Sequence, residues 1–150
     1  MTAFKASYDR VVSWVSSPVA EAAALLLTRV AIAGIFWRSG RTKVVEGSWL
    51  TLSDSAKELF RSDYAGVPLP PEISSHMALY AETLLPILLV LGLLTRLSAL
   101  GLLGMTLVIQ IFVFPEAWWQ VHIVWVSMAL ILIVRGGGKL SVDQLLNRAK

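Results

Sequence analysis

Four apolar stretches, about Val19–Trp37, Ser75–Leu94, Leu97–Phe114 and Trp118–Val134, each reach or approach the roughly 17–25 residues that a helix needs to cross a bilayer. A chain of 150 residues with four such stretches has no room left for a separate soluble domain. Only 15% of its residues are charged, against about 25% in a soluble domain, and its mean hydropathy is +0.69. The expected fold is all-α: an integral membrane four-helix bundle, one membrane domain over residues 1–150. An interfacial helix precedes it, with Phe4, Tyr8, Val11, Val12 and Val15 at helical spacing, and an amphipathic tail with Leu140, Val142, Leu145 and Leu146 follows. The first apolar run contains Arg29 and has further spans after it, so it is expected to be retained rather than cleaved as a signal.

The connections differ sharply in length. About 35 residues separate the first two spans, and a segment of that size needs structure of its own. "LSDSAKELF" offers a short helix, capped by Ser53 or Asp54, with Leu59 and Phe60 on its apolar side. Pro68, Pro70 and Pro71 then hold the chain extended into the second span. Only "TRL" separates the second span from the third, which requires a tight antiparallel hairpin, and "PEAWWQ" makes another short turn before the fourth.

Lys and Arg counts near the span ends set the orientation. Lys5, Arg10, Arg96, Arg135, Lys139, Arg148 and Lys150 lie on one side, and Arg38, Arg41, Lys43, Lys57 and Arg61 on the other. The richer side holds both termini, which are therefore expected in the cytoplasm of a bacterium, with the chain in its inner membrane. Lys43 and Arg96 read as end and loop charges that set this topology. The net charge of +3 sits at helix ends and in tails, where lipid headgroups rather than nucleic acid are the natural partner. With no cysteine, disulfides, thiolate metal sites, covalent haem attachment and Cys-x-x-Cys relays are all excluded.

Charges inside the spans are the candidates for function. At 1.5 Å per residue, Arg29 lies about 13 Å and Glu82 about 10 Å below the surface that carries the long connection. A lone charge so deep costs at least about 2.5–3.5 kcal/mol, so each needs a partner, and the expectation is that Glu82 meets Arg29. Such a pair reads either as a static latch or as the lining of a polar cavity for a proton, a quinone headgroup or a small anion. Gln110 and His122 fall at matching depths of about 6 Å, and His76 and Tyr80 lie at the same mouth. All these polar groups are expected in the half of the bundle facing the long connection, with the other half nearly pure Leu, Ile, Val, Ala and Gly. His76 and His122 offer one haem or copper option, with Met77 nearby; the plainer reading gives His122 a hydrogen bond to Gln110. Pro86 frees the backbone carbonyl of Glu82 from its helical bond.

The segments "LLLTRVAIAGIFWRSGRTKV", "YAETLLPILLVLGLLTRLSALGLLGMTLV" and "VRGGGKLSVDQLL" together resemble the DoxX family of small four-span membrane proteins, over nearly the whole chain from Pro18 to Leu146. The "FRSDYAGVPLPPE" connection is similar to a subgroup found in copper- or gold-responsive operons. The resemblance implies both termini in the cytoplasm and association with membrane oxidoreductases or stress defence. It places Arg29, Lys43, Glu82 and Arg96 at positions where members often show similar residues, but supplies no established catalytic residue. The expected function is a redox-associated or quinone-interacting subunit, at most part of an oxidoreductase, with a homodimer or a membrane redox protein as partner besides the bilayer. The alternative is a non-enzymatic transporter or accessory scaffold in a metal-stress pathway.

Overall fold

The computed structural model describes residues 2–148, with side chains from 4 to 147. It contains four helical segments long and apolar enough to cross a membrane. Helix α1 (Thr2–Val15) leads to α2 (Pro18–Arg41), where Ser17 accepts a hydrogen bond from the Ala20 N–H and Pro18 opens the first turn. Helix α3 (Asp54–Ser62) lies within the long connection, followed by α4 (Pro71–Leu91) and α5 (Thr95–Phe112). The last span runs through a 3-10 turn (Pro115–Ala117), a π turn (Trp118–His122) and α6 (Ile123–Arg135), and α7 (Val142–Arg148) closes the chain. The spans pack around Leu25, Ile32, Ala33, Phe36, Leu89, Ala99, Leu102, Ala129 and Leu132, one buried apolar cluster drawn from all four. The chain is an all-α membrane bundle.

Several boundaries differ from the sequence expectation, the first span running on to Arg41, one turn past Trp37. The second span starts at Pro71, about one turn earlier than Ser75, because a proline is at home in a first helical turn. The hairpin between α4 and α5 turns at Gly92, Leu93 and Leu94 rather than at "TRL". Gly92 (φ +70) and Leu94 (φ +51) are both left-handed there, and Thr95 and Arg96 already belong to α5. The fourth helical run begins at Pro115 instead of Trp118.

The long connection is folded onto the bundle. Val44 and Leu52 bridge, Ser53 caps α3, and Leu52 and Ala56 pack with Leu79 of α4. Phe60 is fully buried and stacks on Tyr64 with ring centroids 4.4 Å apart. This end of the bundle is called the loop face here, and the opposite end, with α1 and α7, the terminal face.

The C-terminal segment also departs from a simple surface tail. It doubles back beneath the α4–α5 turn, where both carboxylate oxygens of Asp143 accept from the N–H groups of Leu94 and Thr95, at 2.8 and 2.9 Å. The Asp143 N–H donates to the Gly92 carbonyl at 2.9 Å, and Ser141 is buried. An uncapped helix start is supplied with an acceptor from the far end of the sequence.

Candidate functional site

Helices α2 and α4 run antiparallel and pack closely at Gly40, where an added Cβ would lie 3.0 Å from the Glu82 Cβ and 3.2 Å from its backbone oxygen. This contact fixes their register. Glu82 stands level with the last turn of α2, so Arg29, eleven residues earlier, lies about 16 Å away along the axis. Helical side chains also lean toward their own N-terminus, which sends Arg29 and Glu82 toward opposite faces. The expected Arg29–Glu82 pair is therefore not formed; a depth count from each span end contained neither the register nor the lean.

Glu82 leans toward the loop face and meets Lys43, just past the end of α2. Lys43 Nζ donates to both carboxylate oxygens, at 2.8 and 3.1 Å, while Ser39 Oγ accepts from Lys43 at 2.9 Å and donates to Glu82 at 3.1 Å. The two charged side chains are only 6% and 3% exposed. Lys43 is thus a buried partner rather than a loop charge. Next to it, Arg41 donates to Thr83 Oγ1 at 2.6 Å and to the Trp49 carbonyl at 3.0 Å, and its guanidinium lies 4.6 Å from the centre of the Trp37 ring.

Against this carboxylate lies a cavity of about 180 Å³ between α4, α5 and the folded connection. Phe60, Val67, Leu69, Met77, Met105 and Ile109 form most of an apolar wall, and Glu82, Tyr64 and Ser74 supply its polar groups. Tyr64 belongs to the connection, outside the spans. Burial first, then the charges of Glu82 and Asp63, push its hydroxyl up to about 12, so at physiological pH it is a hydrogen-bond donor. The result is an apolar chamber with Glu82 and Tyr64 among its lining residues.

Arg29 leans the other way. Fully buried, it donates through Nη1 to the carbonyls of Leu89 and Val90 at 3.2 and 3.3 Å and through Nη2 to that of Leu140. It thereby adds a donor to the Leu89 carbonyl, which also accepts from the Gly92 N–H at the end of α4, serves the Val90 carbonyl beside it, and clasps the returning tail. The terminal end is consequently not a purely apolar half: Arg29, Thr95, Ser98 and Ser141 are all buried there.

A model of the DoxX family matches residues 24–115. The chain belongs to the DoxX family. It is also similar to an uncharacterized protein of Haemophilus influenzae, 32% identical over 139 residues and covering 83% of each chain. No solved structure matches it.

In this DoxX chain Ser39, Lys43, Tyr64 and Glu82 all lie within the matched stretch, whereas several residues singled out from sequence stand apart from the cavity. Tyr80 is half exposed, with its ring 6.3 Å from that of His76, and lines no part of the chamber. His76 Nδ1 donates to the Glu72 carbonyl of its own helix at 2.7 Å. His122 Nδ1 donates to Gln110 Oε1 at 2.6 Å, and Gln110 Nε2 donates to the Pro115 carbonyl at 2.7 Å, pinning the start of the last span to α5. Among the described residues no group of three or more His, Cys, Asp and Glu converges as metal ligands. Arg96 lies at the terminal face, where it donates to the Val134 carbonyl at 3.3 Å. Sequence reasoning passed over Tyr64, Ser39 and the role of Lys43. Their visible signals were a tyrosine and a lysine in a connection too long to be unstructured, and, for Lys43, the family resemblance.

Proposed function

We propose that this DoxX protein is a redox-associated membrane subunit whose loop-face cavity receives the headgroup of a quinone. The reading is carried by one observation: a mostly apolar chamber of about 180 Å³ with Tyr64 and the Lys43-paired Glu82 among the residues that line it. A quinone ring is flat and apolar with carbonyl oxygens at its ends, and a protonated phenol is a donor suited to one of them. Glu82, with Lys43 and Ser39 behind it, is the candidate to hold the proton that accompanies quinone reduction. Electrons come from a partner protein, since no cofactor motif is visible in this sequence.

The test is binding of a short-chain ubiquinone analogue to the purified full chain in nanodiscs, followed by calorimetry. The expected result is saturable binding that Ala78→Phe abolishes by filling the chamber while leaving the Lys43–Glu82 pair in place. Tyr64→Phe should weaken binding about tenfold, the worth of one hydrogen bond to a buried polar group. Absence of saturable binding by the folded wild-type protein would reject the quinone reading and turn the assignment to an accessory membrane protein.

A further inference from the structure

The terminal face carries a second cavity, larger and chemically unlike the first. Its volume is about 630 Å³, and it lies between the α4–α5 turn, the end of α6 and the returning tail. Arg96 and Arg135 stand in its wall, with the Gly136–Gly138 loop between α6 and the tail. Gly136 and Gly138 have φ of +73 and +72, so the loop keeps a shape that side chains would strain. Leu94, Leu97 and Leu146 complete the rim, each more than half exposed.

The charges in this wall do not cancel. Among the described residues Asp143 is the one acidic group in the lining, and both its oxygens already accept from the Leu94 and Thr95 N–H groups. Arg135 pairs with Glu21 through Nη2, which leaves the rest of its guanidinium fork. Among the described residues Arg96 is bonded only to the Val134 carbonyl and meets no carboxylate, and its side chain is exposed. Both arginines sit at span ends, Arg96 as the second residue of α5 and Arg135 as the last of α6, the level at which phosphate groups of a bilayer lie. Guanidinium groups match phosphate bidentately, and basic pockets between membrane helices are suited to anionic headgroups.

We infer that the terminal-face cavity is a phosphate site, occupied by the headgroup of an anionic phospholipid, with Arg96 and Arg135 on the phosphate and Leu94, Leu97 and Leu146 against the acyl chains. The site is independent of the Glu82 chamber, and it gives the α4–α5 turn, the end of α6 and the tail one shared ligand.

Native mass spectrometry of the full chain tests it, with detergent-solubilised protein offered equal phosphatidylglycerol and phosphatidylcholine. The expected result is preferential retention of phosphatidylglycerol, reduced about fivefold by Arg96→Gln, the effect of one arginine at a membrane surface. The Arg96 side chain is exposed, so this variant folds, and Arg61→Gln at the loop face should leave the preference unchanged. Excess inorganic phosphate distinguishes the sources: displacement of the lipid makes the free phosphate group sufficient, and persistence of the lipid makes the whole phospholipid the ligand. Equal retention of the two lipids by the wild-type protein, or an unchanged preference in Arg96→Gln, would overturn the proposal.

Discussion

At the residue scale the Lys43–Glu82 pair shows what a buried charge requires. Each group satisfies the other, Ser39 bonds to both, and neither side chain reaches solvent to any useful extent. Removing one partner strands the other, so Lys43→Met or Glu82→Leu alone should each destabilise the protein by about 3–5 kcal/mol in thermal unfolding in detergent. The double variant Lys43→Met/Glu82→Leu should recover most of that loss, because two apolar side chains leave no unpaired charge behind. A double variant as unstable as the sum of the singles would show that the two side chains act separately. Composition and position made Glu82 legible as a residue in need of a partner. They did not reveal which one, because the choice between Arg29 and Lys43 depends on helix register and on the direction in which each side chain leaves its helix. The same reasoning separates Tyr64 from Tyr80: the one on a span looked better placed, but it faces outward, and the one in the connection lines the chamber.

At the element scale the spans were readable because an uninterrupted apolar run has few alternatives in water or lipid. Their ends were less so, since Gly92 and Leu94 place the hairpin turn by conformation rather than by polarity. The tail was the least legible element. "KLSVDQLL" reads as a surface helix, and nothing in its pattern shows that Asp143 caps a helix nearly fifty residues earlier. That cap carries a pH dependence. Burial tends to raise the Asp143 carboxyl but is outweighed by the N–H groups of Thr95 and Leu94 and by the charge of Arg29, and the net shift is downward. A depressed carboxyl contributes stability that is complete above the ordinary aspartate range and is lost as pH falls through the lower folded value. Protection of residues 137–147 against hydrogen exchange, taken relative to the intrinsic rate at each pH, should therefore hold from neutral pH down to the ordinary aspartate range and fall below it. In Asp143→Asn the same amides should exchange faster at neutral pH and show no acid step. Equal exchange in the two proteins at neutral pH would remove Asp143 as the tail's anchor.

At the scale of the whole molecule, two buried cationic side chains are held near opposite ends of the bundle, Lys43 by Glu82 toward the loop face and Arg29 by backbone carbonyls toward the terminal face. Charge counting gives the expectation that the termini lie in the cytoplasm, and the sequence has no cysteine, so a single introduced one tests that expectation without background. Glu58→Cys in exposed α3 should react with an impermeant maleimide added to intact cells, and Lys139→Cys should react only after the membrane is opened. The reverse pattern would invert the assigned orientation. The clasp on Leu140 also has a consequence for the order in which the protein is made. Arg29 enters the bilayer when the ribosome has yet to add the residue whose carbonyl it holds, 111 positions later. One arm of that guanidinium can engage Leu89 and Val90 once α4 is made, while its other arm waits for Leu140. A chain cut before Leu140 should keep its four spans with Arg29 short of one carbonyl, and pulse-chase in cells should show it lost faster than the chain that includes the tail.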